Sequence, residues 1–90
     1  MAALLVTYDL NSPGQKHAKV LEKVKSFGGW ARLSESSYAI TTSLEPNHVY
    51  SQFENLLDSN DCIYIISLKR PYSGRGAEKV NEWLNSNLEY

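Results

Sequence analysis

From Ala3 to Leu10 apolar side chains fall on both alternating sets of positions: Leu4, Val6, Tyr8 and Leu10 on one, Ala3, Leu5, Thr7 and Asp9 on the other. Only the end of the run turns polar, which predicts a central strand covered on both sides. The segment Asn11-Ser12-Pro13-Gly14-Gln15 follows. It places Ser12 as a helix N-cap, Pro13 at the first helical position and Gln15 where it closes a capping box. The helix it opens has an apolar stripe of His17, Val20, Leu21, Val24 and Phe27, with Lys16, Lys19, Glu22 and Lys23 on the wet side. Gly28-Gly29 is expected to end it in the left-handed cap conformation that glycine adopts cheaply. Trp30 to Leu33 and Ser36 to Thr42 then read as a hairpin turning at Ser34-Glu35.

A second helix is predicted from Pro46, with Val49, Phe53, Leu56 and Leu57 inside and Glu54 and Asp58 outside, closed by Asn60-Asp61. Cys62 to Leu68 is almost unbroken apolar sequence of strand length and reads as a second central strand. From Ala77 to Leu88, Val80, Trp83, Leu84 and Leu88 recur at helical spacing, which predicts a third amphipathic helix. The element order is therefore β-α-β-β-α-β plus a C-terminal helix. This is an α+β, ferredoxin-like sandwich in one domain spanning 1–90, with a core over 1–70 and a loop and helix over 71–90. Two helices on one face of such a sheet leave the other face apolar. A second subunit or the C-terminal helix is expected to cover it.

Composition narrows the class of function. Ninety residues with 42% hydrophobic and 21% charged positions suit one core rather than two, and argue against disorder. The apolar stretch from Ala2 to Val6 is too short for a signal peptide or a membrane span, so a cytoplasmic chain without membrane contact is expected. The single cysteine, Cys62, cannot form an internal disulfide and reads as a buried thiol. Net charge is −1, so no global field draws in a polyanion, and any nucleic-acid contact must be local. Local positive charge gathers at Lys69, Arg70 and Arg75 around a glycine-bearing loop, and along Lys16, Lys19, Lys23 and Lys25. Such charges also serve simply as solvated helix and loop faces.

Ser73-Gly74-Arg75-Gly76 is the leading anion-binding segment, because glycines allow convergent backbone N–H groups ahead of a helix. It lacks the spacing of a P-loop and equally suits a flexible linker. Asp9, at the end of the first strand, is either an acceptor in a strand-to-helix Asx-turn or, doubled by symmetry, a ligand for Mg²⁺ or Mn²⁺. Ser37 is placed to reach the same end of the sheet and touch phosphate or sugar, whereas Tyr38 reads as an inward-facing strand aromatic. Tyr8, Tyr64 and Tyr72 suit an interface better than base stacking. His17 and His48 read as surface or core-edge residues rather than ligands.

Val6-Thr7-Tyr8-Asp9-Leu10, Ser36-Ser37-Tyr38-Ala39 and Cys62-Ile63-Tyr64-Ile65-Ile66-Ser67-Leu68 resemble, in order, the first, third and fourth strands of the CRISPR-associated Cas two family. The chain also resembles the virulence-associated protein D toxins and small SinR-like proteins. The resemblance implies a homodimer whose two Asp9 side chains meet across the twofold axis and share a divalent metal. It further implies either a metal-dependent endonuclease or endoribonuclease or a non-catalytic adaptor holding nucleic acid. The chain departs from the family where Pro71, Gly74 and Gly76 lead into a helix in place of a fifth strand that joins the partner's sheet. Two readings follow: a non-enzymatic adaptor for RNA, DNA, a nucleotide or a protein, and a nuclease with Asp9 as ligand and Lys69 or Arg75 on phosphate.

Overall fold

The computed structural model describes residues 1–11 and 14–90, Gln15 by its backbone alone. The capping box of Ser12, Pro13 and Gln15 lies outside the described residues. In chain order the elements are strand β1 (Ala2–Asp9), helix α1 (Gly14–Lys25), β2 (Gly29–Ser34), β3 (Ser37–Thr42), α2 (Pro46–Phe53), a 3₁₀ turn (Glu54–Leu56), β4 (Cys62–Leu68) and α3 (Glu78–Asn87). The four strands form one antiparallel sheet in the order β2-β3-β1-β4. This is a small α+β fold. Among the described residues no helix is long and apolar enough to cross a membrane.

One face of the sheet carries the main core. Leu4, Val6 and Tyr8 of β1, with Tyr38 and Ile40 of β3, meet Val20 and Val24 of α1 and Val49 and Phe53 of α2. These are the positions that the period-two and period-3.6 patterns select. On the opposite face Ala3, Ala31 and Ala39 are buried as well, along with Leu88 at the end of α3, although none belongs to that core. The third helix contacts β2 and stands on this second face, where Leu88 at its end is buried.

Three local expectations are corrected. β4 is an edge strand, and β3 is the second central strand. A run that is apolar on both faces specifies what lies above and below a strand, not how many neighbours flank it. Cys62 is accordingly exposed rather than buried. Neither Gly28 nor Gly29 adopts a positive φ, and among the described residues only Gly14 does, at 24°. Helix α1 stops at Lys25, and the Ser26 and Phe27 N–H groups bond back to the Lys23 and Val24 carbonyls.

Gly29 is instead the first residue of β2, where a Cβ would stand 2.5 Å from Thr41 Oγ1 on the paired strand. Close approach is the reason for glycine there. Gly29→Ala is expected to cost about 1–3 kcal/mol, as overpacking does. Chemical denaturation should show the loss, and Thr41→Ala in the same chain should recover most of it.

Candidate functional site

The residues singled out by sequence fall at two ends of the sheet. Asp9 pairs in register with Cys62, the first residue of β4, and Ala3 with Leu68, the last. Asp9 and Ser37 therefore share one end of the sheet, and Lys69, Arg70, Ser73, Gly74, Arg75 and Gly76 leave from the other. The seven-residue length of β4 separates them by roughly 20 Å at about 3.4 Å per residue. Within one chain a single phosphodiester cannot meet both Asp9 and the cationic loop.

At the first end Asp9 is exposed, and Ser37 lies beside Thr7, with Thr7 Oγ1 and Ser37 Oγ 2.9 Å apart. The pairing of Thr7 with Ser37 in the β1–β3 register sets that contact. The Asn11 N–H, which an Asx-turn at Asp9 would use, donates instead to Asp61 Oδ1 at 2.8 Å. Asp61 Oδ2 also accepts the Asp58 N–H at 2.9 Å and the Lys16 ammonium at 2.8 Å, while Asp58 Oδ2 takes the same ammonium at 2.6 Å.

These three donors, the Lys16 ammonium foremost, hold the Asp61 carboxyl down at about 2 against an ordinary 3.8. Hydrogen bonding by Lys16 and then by the Asn60 N–H lowers Asp58 as well. Lys16, expected on the wet face of α1, thus ties that helix to the loop before β4. Sequence reasoning missed Asp61 as a loop organiser. The Asp58-Ser59-Asn60-Asp61 spacing, two carboxylates flanking turn residues, was the available signal.

A divalent-ion site needs converging oxygen ligands. No group of three or more His, Cys, Asp or Glu side chains gathers among the described residues, and the two acids near Asp9 in the fold are committed to Lys16.

The second end is organised by Arg70. Its Nε donates to the Leu88 carbonyl at 2.9 Å, its terminal nitrogen to the Asn85 carbonyl, and its guanidinium lies 5.9 Å from the centre of the Tyr90 ring. The Arg70 N–H reaches the Glu89 carbonyl at 2.6 Å, and the Tyr72 hydroxyl donates to Asn85 Oδ1 at 2.6 Å. Arg70 thus satisfies the orphan carbonyls at the C-terminal end of α3, where a cation also complements the helix dipole. Its charge is engaged there. Lys69 and Arg75 remain exposed.

Ser73, Gly74, Arg75 and Gly76 help line a cleft of about 440 Å³, together with Arg32 of β2 and with Val80, Leu84 and Leu88 of α3 and its end. The lining offers loop backbone and two cations, Arg32 and Arg75, among largely apolar side chains. Of the tyrosines, Tyr8 and Tyr38 are in the core, and Tyr64 and Tyr72 are exposed. The buried Tyr8 hydroxyl has no hydrogen-bond partner among the described residues, and burial raises its pKa. The His17 ring lies tilted by 57° against that of Tyr8 with ring centres 5.8 Å apart, and His48 is exposed.

A comparison with protein-family models finds none that matches the chain, and a comparison with curated proteins finds no match.

Proposed function

We propose that this chain is a homodimeric adaptor of the Cas two-like kind, built on a ferredoxin-like fold, that holds nucleic acid or a protein partner without cleaving it. The ferredoxin-like reading is supported by the strand order β2-β3-β1-β4 together with α1 and α2 sharing one face of the sheet. The dimer reading is supported by the apolar side chains that the fold leaves uncovered on β4, Tyr64 at 66% and Ile66 at 49% exposure. Large apolar side chains grouped on one face call for a partner.

The observation that carries the adaptor over the nuclease is the commitment of the two acids near Asp9, Asp58 and Asp61, to the Lys16 ammonium, which keeps them from joining Asp9 around an ion. Hydrolysis needs a metal or base and its phosphate contacts around the same atom. Binding needs only that charged and apolar surfaces be presented together.

Two other readings each have one feature in their favour. Asp9 is solvent-exposed beside the Thr7–Ser37 hydroxyl pair, as a metal-dependent endonuclease or endoribonuclease using Asp9 from both subunits would require. The cleft walled by Ser73–Gly76 is of a size that suits a nucleotide.

Sedimentation equilibrium at micromolar concentration tests the shared premise. A mass twice that of the 10.2 kDa chain is the expected result. A mass that stays at one chain would remove the homodimer, and with it any ion shared between two Asp9 side chains.

A further inference from the structure

We infer that two copies of this chain join edge to edge through β4, the strands running antiparallel to make one continuous eight-stranded sheet. The inference rests on the homodimer proposed above and specifies its interface.

The two edges of the sheet are unlike. β2 carries Arg32, and its pairing is broken by a register shift between Arg32 and Ser34. Charge and irregular pairing are among the usual means by which an edge strand is kept from pairing with another chain. β4 has neither. Its seven residues, Cys62-Ile63-Tyr64-Ile65-Ile66-Ser67-Leu68, include no charge and no proline, and its ladder to β1 is regular throughout. Among the described residues its backbone groups bond only toward β1, and beside its first residues a hollow of about 300 Å³ opens between the strand and Tyr50, Glu54 and Leu57. An uncovered, regular, apolar edge of this length is a template for a further strand.

Two features specify that the strand is a second copy of β4. The first is charge. Beside the first residues of β4 lie Asp9, Asp58 and Asp61, three carboxylates against the single Lys16 that the last two share, whereas Lys69 and Arg75 follow its last residue. Antiparallel pairing about a twofold axis sets the acidic start of each strand against the basic end of the partner's. Parallel pairing would set like against like. The second is the place of the uncovered apolar side chains. Tyr64 and Ile66 stand on β4 itself, on the sheet face they share with Ala3, and a second copy of the strand lays its own Tyr64 and Ile66 beside them. Paired about Ile65, Tyr64 of one copy opposes Ile66 of the other, an aromatic and a β-branched side chain of the kind that stabilises cross-strand pairs.

This arrangement has a consequence for Asp9. The two first residues of β4 stand a strand length apart along the paired edge, with β1 one strand further in on each side. The two Asp9 carboxylates are then roughly 25 Å apart from strand rise and spacing, far beyond the reach of one ion. Each faces instead the cationic loop of the partner.

Amide hydrogen exchange, followed by NMR above and below the concentration at which the chain dimerises, tests the interface. Every second amide of β4 points away from β1, and these are expected to exchange at least about tenfold more slowly in the dimer, as newly bonded edge amides do. A dimer in which they exchange as fast as in the monomer would overturn edge pairing while leaving the homodimer standing, and a chain that stays monomeric would overturn both. Tyr64→Lys, at an exposed position that the fold does not need, is expected to give a folded monomer. A folded variant that still dimerises would count against the interface.

Discussion

Phe53→Ala is expected to lower stability by about 3–5 kcal/mol, the range for emptying a large aromatic from a closed core. Phe53 ends α2, is fully buried, and lies against Phe27 with ring centres 6.4 Å apart and planes inclined by 22°. It therefore joins the end of α2 to the segment that leaves α1. Chemical denaturation should show a lower midpoint with little change in slope if the native state keeps its compactness. Trp83→Ala offers the comparison. Trp83 is larger but only half-buried, and no residue within α3 is fully buried. Its loss is expected to fall well below that of Phe53. Equal losses would mean that α3 is part of the main core rather than a layer laid over the second face.

The second large effect concerns pH. The Asp61 carboxylate is held at about 2 in the fold against an ordinary 3.8, chiefly by the Lys16 ammonium and then by the Asp58 and Asn11 amides. A folded value below the unfolded one means that the unfolded chain binds more protons in between. The stabilisation is therefore complete above about pH 4 and is lost as pH falls toward 2. Asp58, lowered by the same lysine, contributes in the same direction. Thermal melts between pH 2 and 7 should show the native chain losing stability over that interval. Asp61→Asn should melt lower at neutral pH and have a flatter acid limb, because its amide offers Lys16 no charge and cannot serve all three donors. Parallel acid limbs in the two chains would show that the Lys16–Asp61 tie does not hold α1 to the loop before β4.

Much of the architecture was legible because burial leaves a period in the sequence. The stripes that selected Val20, Val24, Val49 and Phe53 are buried as read, and the alternation in β1 separates the core face from the face under α3. What stayed hidden was lateral. β4 reads as a central strand because Tyr64, Ile66 and Cys62 are as apolar as a covered face would be, and only the strand order shows that they lie at an edge. The pair of glycines after α1 carried the wrong physical cause: the demand on Gly29 comes from Thr41, on the neighbouring strand, and not from its own dihedral angles.

The site was legible in part for a similar reason. Asp9, Ser37 and the Ser73–Gly76 loop are placed by strand ends and turns that sequence reveals. That Asp9 and the loop belong to opposite ends follows from the β1–β4 register. Asp61 acts on Asn11 and Lys16, fifty and forty-five residues away, and Arg70 reaches across to the last turn of α3. Such polar contacts have no periodicity to announce them. Both turned out to hold the fold together at places where the sequence offered only candidate ligands or loose surface charge.

The most direct test of the adaptor reading is incubation of labelled single- and double-stranded RNA and DNA with Mg²⁺ or Mn²⁺, comparing the native chain with Asp9→Asn purified in parallel. The account predicts that every substrate stays intact to the same extent with both proteins. Metal-dependent cleavage by the native chain that disappears in a correctly folded Asp9→Asn variant would contradict it, and would make Asp9 the ligand of a nuclease.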